Sequence, residues 1–218
     1  MIIAKFVTVV LIGYLLGSIP FGVIISKWSA GVDVRDYGSG KTGATNVARV
    51  AGRKAAVLVT ILDAWKGLLA VVFAGLIFGG GWLAGSAQVL AALAAIAGHK
   101  WPMFLKFRGG RGVATFFGGL LALCPPAALF GLEVLVLAAS LTRYASLGSI
   151  SGAVSTYAIL VPLTIFNGFP IEYLAYTLIG AIFIIVMHRD NISRLLSGTE
   201  RKLGEKVELG DSLPSTNL

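Results

Sequence analysis

Long apolar runs separated by short polar segments form the pattern of this chain. A membrane-spanning helix needs about 20 apolar residues, and most of the runs reach that length. They cover approximately residues 3–25, 56–79, 82–98, 113–124, 127–142, 146–166 and 170–187. The two runs beside Cys124-Pro125-Pro126 are shorter, and since proline interrupts a helix they are either one kinked helix or two short helices. The pattern predicts an all-α integral membrane protein.

Composition agrees with this interpretation. The 218 residues are 56% hydrophobic and 13% charged, whereas soluble domains carry about 25% charged residues. Cys124 is the single cysteine, so an intrachain disulfide is excluded. We see no internal repeat and treat residues 1–218 as one polytopic domain with a polar cytoplasmic tail from about residue 205.

The positions of the cations predict the topology. Most of the 18 Lys and Arg residues fall within 27–54, at 100–111, at 143 and within 189–206. Such residues accumulate on the cytoplasmic side of a membrane, and all four groups share one side only if Pro125-Pro126 is an external turn between two short spans. The sequence therefore predicts seven transmembrane helices, some of them short, with the N-terminus outside and the C-terminus in the cytoplasm. The net charge of +8 then faces membrane lipid, and no nucleic acid is expected as a partner.

Residues 38–46, GSGKTGATN, match two phosphate-binding patterns only in part. A Walker A loop needs a glycine five residues before the glycine of Gly-Lys-Thr, and Arg35 occupies that position. The glycine spacing of a dinucleotide site needs a βαβ unit around it, whereas apolar runs flank this segment. Neither nucleotide site is therefore predicted.

The segment nevertheless has the chemistry of an anion site. Its glycines let backbone N–H groups approach an anion. Ser39 adds a hydroxyl donor, and Lys41 and Arg49 add positive charge. Taken alone, the same residues fit a flexible basic loop that contacts lipid headgroups equally well.

Two further polar segments lie on the predicted cytoplasmic side. Residues 109–112, GGRG, lead directly into an apolar run, and a helix N-terminus with glycines and an arginine favours an anion. The segment 188–200 carries polar side chains where the last run meets the cytoplasm. These are His188, Asn191, Arg194 and Glu200. Three donor-rich segments on one face predict one pocket for two anionic groups.

The chain shows no evident nucleophile beside a base. Its only histidines are His99 and His188, and the His-x-x-x-x-Asp acyltransferase signature is missing because Phe104 and Ser193 stand at the Asp position. No metal site is predicted. A reaction that fits this inventory uses an activated substrate, while the protein positions the reactants and stabilises charge.

Together these segments resemble a known family. GSGKTGATNVAR, GGRGVAT and the segment from His188 to Glu200 are similar to the three cytoplasmic motifs of the bacterial membrane glycerol-3-phosphate acyltransferases that use acyl phosphate as donor. The resemblance also covers residues 17–22, 63–67 and 98–99. It implies transfer of a fatty acyl group from acyl phosphate to the 1-hydroxyl of sn-glycerol 3-phosphate in bacterial phospholipid synthesis. The products are lysophosphatidic acid and inorganic phosphate, and no cofactor takes part.

The resemblance implies that the first motif binds glycerol 3-phosphate. Ser39 and Arg49 would contact its phosphate, since a guanidinium fork suits a phosphate. Gly38, Gly40 and Gly43 would shape the backbone around it.

The second motif, on the same resemblance, binds the acyl phosphate. Gly109, Gly110 and Gly112 would allow close backbone approach, and Arg111 would supply charge. In the third motif, His188 and Asn191 would be the catalytic residues beside the acceptor glycerol. His188 would either take the hydroxyl proton or only orient the hydroxyl, because the phosphate of the donor can accept the proton itself.

The sequence departs from the family motifs at two places. Lys41-Thr42 replaces the usual Asn-Pro pair, which puts the turn geometry of the first loop in doubt, and Arg111 replaces the usual lysine. Inside the spans, Asp63 and Lys66 have the i,i+3 spacing of a mutual pair, which would be structural or support the pocket. Glu133 stands alone in the fifth run and is expected to face the bundle.

The implied protein is a multi-pass enzyme of the bacterial cytoplasmic (inner) membrane, with its active site facing the cytoplasm. Its oligomeric state is not fixed by the sequence, and a monomer is compatible with it. A transporter for a small organic phosphate is the main alternative, although such proteins usually carry inverted repeats and a midplane site. A non-catalytic subunit that binds anionic lipid through its basic loops is a third interpretation.

Overall fold

The computed structural model describes residues 1–205, which form nine α-helices. They are α1 (Ile2–Ser18), α2 (Phe21–Ala30), α3 (Ala44–Phe78), α4 (Ala84–Lys100), α5 (Val113–Leu123), α6 (Pro125–Thr142), α7 (Ala145–Asn167), α8 (Ile171–Met187) and α9 (Arg189–Leu196). Two 3₁₀ turns, Val34–Asp36 and Met103–Leu105, lie in the connections. The prediction of an all-α chain is confirmed for these residues, while the predicted polar tail lies almost wholly outside them.

The helix over the first apolar run is interrupted, although the segment Ile2–Ala30 as a whole is still long and apolar enough to cross a membrane once. α1 ends at Ser18, and Ile19 is extended, with φ −62° and ψ 119°. The cause is Pro20, because a residue that precedes proline is pushed out of the helical region. The break leaves the Ile19 carbonyl oxygen to accept a hydrogen bond from the buried Lys66 ammonium, at 3.1 Å.

The third helix, α3, begins well before the predicted span over 56–79. α3 starts at Ala44, and Gly52, with φ 84° and ψ 175°, kinks it. Glycine adopts this backbone conformation without the strain that a Cβ would add. The turns before the kink carry polar and charged residues between apolar ones, so they lack the long apolar run that marks the rest of the helix. The predicted cytoplasmic loop is therefore shorter, and Arg49 lies on a helix.

Four segments are long and apolar enough to cross a membrane, namely Ile2–Ala30, Ala44–Phe78, Pro125–Thr142 and Ala145–Asn167. α8 and α9, bent by 59°, add a fifth if the pair is one span. α5 has 11 residues, which is about 17 Å of helix, and Cys124 separates it from α6. The chain is therefore a multi-pass membrane protein, whereas the count of seven spans and the outside N-terminus stay predictions.

α3 lies against four other helices and brings the N-terminal half of the chain onto α5. α3 and α5 approach closely because Gly67 and Gly118 have no Cβ. A Cβ at either position would overlap a carbonyl oxygen of the facing helix. On the other side of α5, Tyr176 stacks on Phe116 and donates to its carbonyl oxygen at 2.8 Å. The start of α5, which follows the second motif, is thus held beside the middle of α3.

Two charged residues outside the three motifs, Lys5 and Glu133, have positions that the sequence does not predict. Lys5 donates to the carbonyl oxygen of Ile77 at 3.0 Å, in the last turn of α3, where the helix dipole favours a cation. Glu133 is exposed on α6 and makes no ion pair or hydrogen bond among residues 1–205, so the expectation that it faces the bundle is wrong.

Candidate functional site

Asn46 holds the glycine-rich loop in one shape. Its side-chain amide donates to the carbonyl oxygens of Val34, Tyr37 and Lys41 at 2.9, 3.0 and 3.0 Å. Its Oδ1 accepts from the backbone N–H of Ser39 at 3.0 Å. The side chain of Asn46 is buried in the first turn of α3. The backbone N–H of Ser39 is thereby occupied, so only the Ser39 hydroxyl is left for a ligand.

Gly40 and Gly43 act through the backbone of the same loop. Gly40 has φ 65°, and its N–H donates to the Tyr37 carbonyl oxygen at 3.0 Å. Gly43 is the N-cap of α3 and accepts from the N–H groups of Asn46 and Val47 at 2.9 and 3.2 Å. These glycines give the loop its turn and the helix its start.

The second motif is tied to the end of α4. The N–H groups of Gly109 and Gly110 donate to the carbonyl oxygens of Lys100 and His99, both at 3.1 Å. A Cβ at Gly110 would overlap the imidazole of His99. Gly112, with φ 81°, is the N-cap of α5. The N–H groups of Gly109 and Gly110 therefore make hydrogen bonds within the fold and are not free to bind an anion.

Arg111 is the charged member of the second motif. Its Nε is buried and makes no hydrogen bond within the part of the chain that the structure describes. Burial lowers the pKa of Arg111 to about 10, so the guanidinium stays charged at neutral pH. A buried charged donor without a partner is costly, and this arrangement favours an anionic ligand.

His188 is the C-cap of α8 and is buried, with 1% of its surface exposed. Its Nδ1 lies 2.7 Å from the carbonyl oxygen of Ile184, so Nδ1 carries the proton and donates, and Nε2 is left as an acceptor. Burial, followed by the positive charge of Arg111, lowers the pKa of His188 to about 4. The ring is therefore neutral at physiological pH.

Glu200 organises the third motif. Its carboxylate accepts from Ser146 Oγ at 2.8 Å, from Asn191 Nδ2, and from Arg194 Nε at 2.8 Å. Burial opposes its charge, but these hydrogen bonds outweigh burial and lower the pKa of Glu200. The contact fixes the amide of Asn191, whose Oδ1 stays buried and unbonded within residues 1–205.

The three motifs meet at two cavities that share much of their lining. A polar cavity of about 30 Å³ lies between the first loop, the second motif, the start of α7 and the third motif. It is lined by Ser39, Thr45, Arg49, Arg111, Ala145, Ser146, Ser149, His188, Asn191, Arg194, Glu200 and Arg201. A larger cavity of about 560 Å³ shares Ser39, Arg49, Arg111 and His188 with it and continues between α3, α5 and α6 along apolar side chains. One end of the combined space is cationic and the other is apolar.

The predicted site residues divide into three groups. Those brought together at the polar cavity are Ser39, Arg49, Arg111, His188 and Asn191. Gly43 and Gly112 line the larger cavity. Gly40, Gly109 and Gly110 line neither cavity and support the loops from behind.

Several residues around the cavities were not singled out by sequence reasoning. Ser146 and Ser149 come from the first turn of α7, and their setting among small residues is typical of helix packing. The pair of Asp63 and Lys66, which the sequence did predict, is confirmed at 2.7 Å. Its contact with His99, at 3.0 Å from Lys66 Nζ to His99 Nδ1, was not predicted. In the described ranges no group of three His, Cys, Asp or Glu side chains could hold a metal ion.

A family model and two relatives of known sequence all point to the same family. The family model described as glycerol-3-phosphate acyltransferase matches residues 7–198. "Glycerol-3-phosphate acyltransferase 3" of Dehalococcoides mccartyi is 60% identical over 214 residues, which covers 94% of this chain and 99% of the relative. "Glycerol-3-phosphate acyltransferase" of Halalkalibacterium halodurans is 46% identical over 197 residues, which covers 89% and 94%.

Two solved structures have the same fold. One is the glycerol 3-phosphate form of PlsY, an integral membrane glycerol 3-phosphate acyltransferase, with TM-score 0.81 and 40% identity over 91% of this chain and 96% of that chain. The other is its lysophosphatidic acid form, with TM-score 0.79 and 39% identity over 92% and 96%.

Proposed function

This chain belongs to the glycerol-3-phosphate acyltransferase family, and on that premise we propose that its acyl donor is a fatty acyl phosphate. The acceptor is the 1-hydroxyl of sn-glycerol 3-phosphate, and the products are lysophosphatidic acid and inorganic phosphate. The observation that carries this proposal is the continuity of a cationic cavity, built by three separate motifs, with an apolar cavity between membrane helices. A donor that joins a phosphate to a fatty chain fits that junction.

The fatty chain lies in the larger cavity. Its volume of about 560 Å³ is within the range of about 300–1,000 Å³ for small-molecule sites. Phe117, Leu121 and Leu135 are among its apolar lining. Ile61 and Val136 line the cavity and are also exposed on the outer surface of the helices. The fatty chain of the donor therefore enters the cavity from the bilayer, between α3 and α6.

The two phosphates lie at the cationic end. Ser39 and Arg49 bind the phosphate of glycerol 3-phosphate, and Arg111 with Gly112 at the N-terminus of α5 binds that of the donor. Arg49 and Arg111 make no ion pair among the described residues. Unpaired guanidinium groups beside a helix N-terminus are suited to phosphate oxygens.

Asn191 and His188 handle the acceptor hydroxyl. The buried Oδ1 of Asn191 accepts a hydrogen bond from a glycerol hydroxyl and orients it. The hydroxyl oxygen forms a bond to the acyl carbonyl carbon, and the bond from that carbon to the phosphate oxygen breaks, with the electron pair leaving on phosphate. The proton passes to Nε2 of His188 or to the leaving phosphate, which is basic enough to take it.

The proposed topology follows from the same motifs. All three motifs face the cytoplasm, the protein lies in the bacterial inner membrane, and seven helices, some of them short, cross it with the N-terminus outside. Glycerol 3-phosphate then arrives from the cytoplasm and the acyl phosphate from the inner leaflet.

Site variants distinguish a substrate-binding site from a basic surface that binds only anionic lipid. Arg49 lines both cavities, whereas Arg53 is exposed beyond the Gly52 kink. We expect Arg49→Ala and Ser39→Ala to raise KM for glycerol 3-phosphate by about 10-fold or more, while Arg53→Ala stays near wild type in lysophosphatidic acid formation. Equal losses in all three variants would contradict the assignment of the first motif.

A further inference from the structure

Residues 200–203 form a strap beside the cavities that is fixed at both ends. At one end, the Glu200 carboxylate is buried and accepts hydrogen bonds from side chains of α7 and α9. At the other end, the backbone N–H of Leu203 donates to the Arg143 carbonyl oxygen at 2.7 Å. Arg143 Nη2 donates in return to the Leu203 carbonyl oxygen at 3.2 Å. Arg201, which lies between these two ends, is therefore held at the cavities by contacts on either side of it.

Arg201 belongs to the lining of the polar cavity. It lines this cavity together with Ser39 and Arg49, the two side chains assigned to the phosphate of glycerol 3-phosphate. Among the described residues, no other charged side chain acts on Arg49 as strongly as Arg201 does, and the two positive charges repel each other. Neither guanidinium has an ion pair within residues 1–205. An anion bound between them would replace one repulsion by two attractions.

The polar cavity has an excess of positive charge. Its lining holds four arginines and one carboxylate, that of Glu200, which leaves a net charge of +3. Arg194 is paired with Glu200 at 2.8 Å, and Arg111 is assigned to the phosphate of the donor. A phosphate monoester carries a charge of about −1.5 to −2 at pH 7, which Arg49 alone does not neutralise. Of the cations in this lining, Arg201 is the one left to supply the second positive charge.

The two cavities indicate which phosphate Arg201 contacts. Arg201 lines the polar cavity alone, whereas Arg49 and Arg111 line both cavities. The phosphate of a donor whose fatty chain fills the larger cavity lies where the two cavities meet. A small ligand without a fatty chain fits the polar cavity alone. Arg201 is also exposed, so a substrate that arrives from water can reach it.

We propose that Arg201 is a substrate-binding residue whose guanidinium donates to the phosphate oxygens of glycerol 3-phosphate from the side opposite Arg49. A guanidinium fork suits phosphate oxygens. This inference rests on the proposed position of that phosphate beside Ser39 and Arg49, and it adds a contact from the strap. Arg201 then contributes to the affinity for the acceptor and leaves the affinity for the acyl donor unchanged.

Binding of glycerol 3-phosphate alone tests this contact without any reaction. Titration calorimetry on the purified full chain in a neutral detergent gives Kd for the wild type and its variants. We expect Arg201→Ala to raise Kd by about 3- to 10-fold, less than Arg49→Ala does, because water and salt screen an exposed charge. Arg201→Lys keeps the charge without the fork and should recover part of the loss.

Lys202→Ala is the matched control. Lys202 is an exposed cation of the same strap and lines neither cavity, so its removal should leave Kd at the wild-type value. Equal weakening in Lys202→Ala and Arg201→Ala would overturn the inference, because the strap would then act only as a basic surface.

The same titrations distinguish this inference from the proposed function. An Arg201→Ala protein with the Tm and the Kd of the wild type would overturn the role of Arg201, while weaker binding in Arg49→Ala would leave the proposed acceptor site in place. Wild-type protein that binds no glycerol 3-phosphate would refute that acceptor site and the role of Arg201 together.

Steady-state kinetics separate the acceptor from the donor. We expect Arg201→Ala to raise KM for glycerol 3-phosphate by about 3- to 10-fold, with kcat and KM for acyl phosphate within about twofold of wild type. A raised KM for acyl phosphate with an unchanged KM for glycerol 3-phosphate would assign Arg201 to the donor and contradict the proposal. An effect of Arg201→Ala that occurs only when anionic lipid is added to the detergent would assign the residue to a lipid headgroup and also contradict it.

Discussion

Replacing Asn191 by aspartate tests how Glu200 orients the site, because the shape of the side chain is kept and only one donor is lost. Asn191 Nδ2 donates to Glu200 Oε1, so Asn191→Asp places two carboxylates in this contact. Two like charges 4 Å apart repel by roughly 4 kcal/mol at an effective dielectric constant of about 20. Since one pKa unit is about 1.4 kcal/mol, the repulsion raises the pKa of one carboxyl by about 3 units. The guanidinium of Arg194, 2.8 Å from Glu200, opposes part of this rise, and we expect the pair to share one proton whose pKa lies above the usual range of a carboxyl group.

The sign of the pH effect follows from this raised pKa. Below it, the aspartic acid O–H donates to Glu200 and the other oxygen faces the cavity as the amide oxygen does in the wild type. Above it, both carboxyls are charged and the contact is lost. We therefore expect kcat of Asn191→Asp to fall by about 10- to 100-fold as the pH rises through this raised pKa, while kcat of the wild type measured in parallel does not fall.

The assay is phosphate release from acyl phosphate in the presence of glycerol 3-phosphate, at a series of pH values. Asn167→Asp is the matched control, because it makes the same chemical change at an exposed residue at the far end of α7. An Asn191→Asp profile parallel to that of the wild type would show that the contact with Glu200 does not set the orientation of the amide.

Three further predictions concern the same site. We expect Gly110→Ala to lower both Tm and activity because its Cβ would overlap His99, whereas Gly43→Ala, with nothing within 4 Å of its Cβ position, should keep the Tm of the wild type, measured by thermal unfolding. Arg111→Lys keeps the charge and should stay within about tenfold of wild-type kcat/KM, while Arg111→Ala should raise KM for acyl phosphate by about 10- to 100-fold in steady-state kinetics. Wild-type activity should be lost only as the pH falls through about 4, the lowered pKa of His188. Nε2 of the protonated ring can no longer accept the proton of the glycerol hydroxyl. A pH–rate profile whose acid limb lies near 6.5 would contradict this.

The helices could be predicted from apolar runs wherever a run is long and uninterrupted. α7 and α8 lie within a residue or two of their predicted runs, because burial in lipid demands apolar residues on every face. The break at Ile19-Pro20 and the early start of α3 at Ala44 were missed for opposite reasons. The first lies inside an apolar run, and the second lies in turns where charged residues hide the helix.

The site could be predicted as a set of motifs but not as a network. Arg111 and His188 follow from charge sidedness and family resemblance, since both lie in polar segments. The role of Ser146 as a donor to Glu200 depends on a contact between residues 54 positions apart, and Lys66 contacts Ile19 and His99, which come from two other segments of the chain. Such contacts are set by tertiary packing, which no local pattern records.

The most direct test of the account is phosphate release by the purified protein given palmitoyl phosphate, with and without glycerol 3-phosphate and with no metal added. The account predicts release that requires glycerol 3-phosphate and yields an equal amount of lysophosphatidic acid, with a palmitoyl thioester giving no product. Folded protein that releases no phosphate, or that uses the thioester as well as the acyl phosphate, would contradict it.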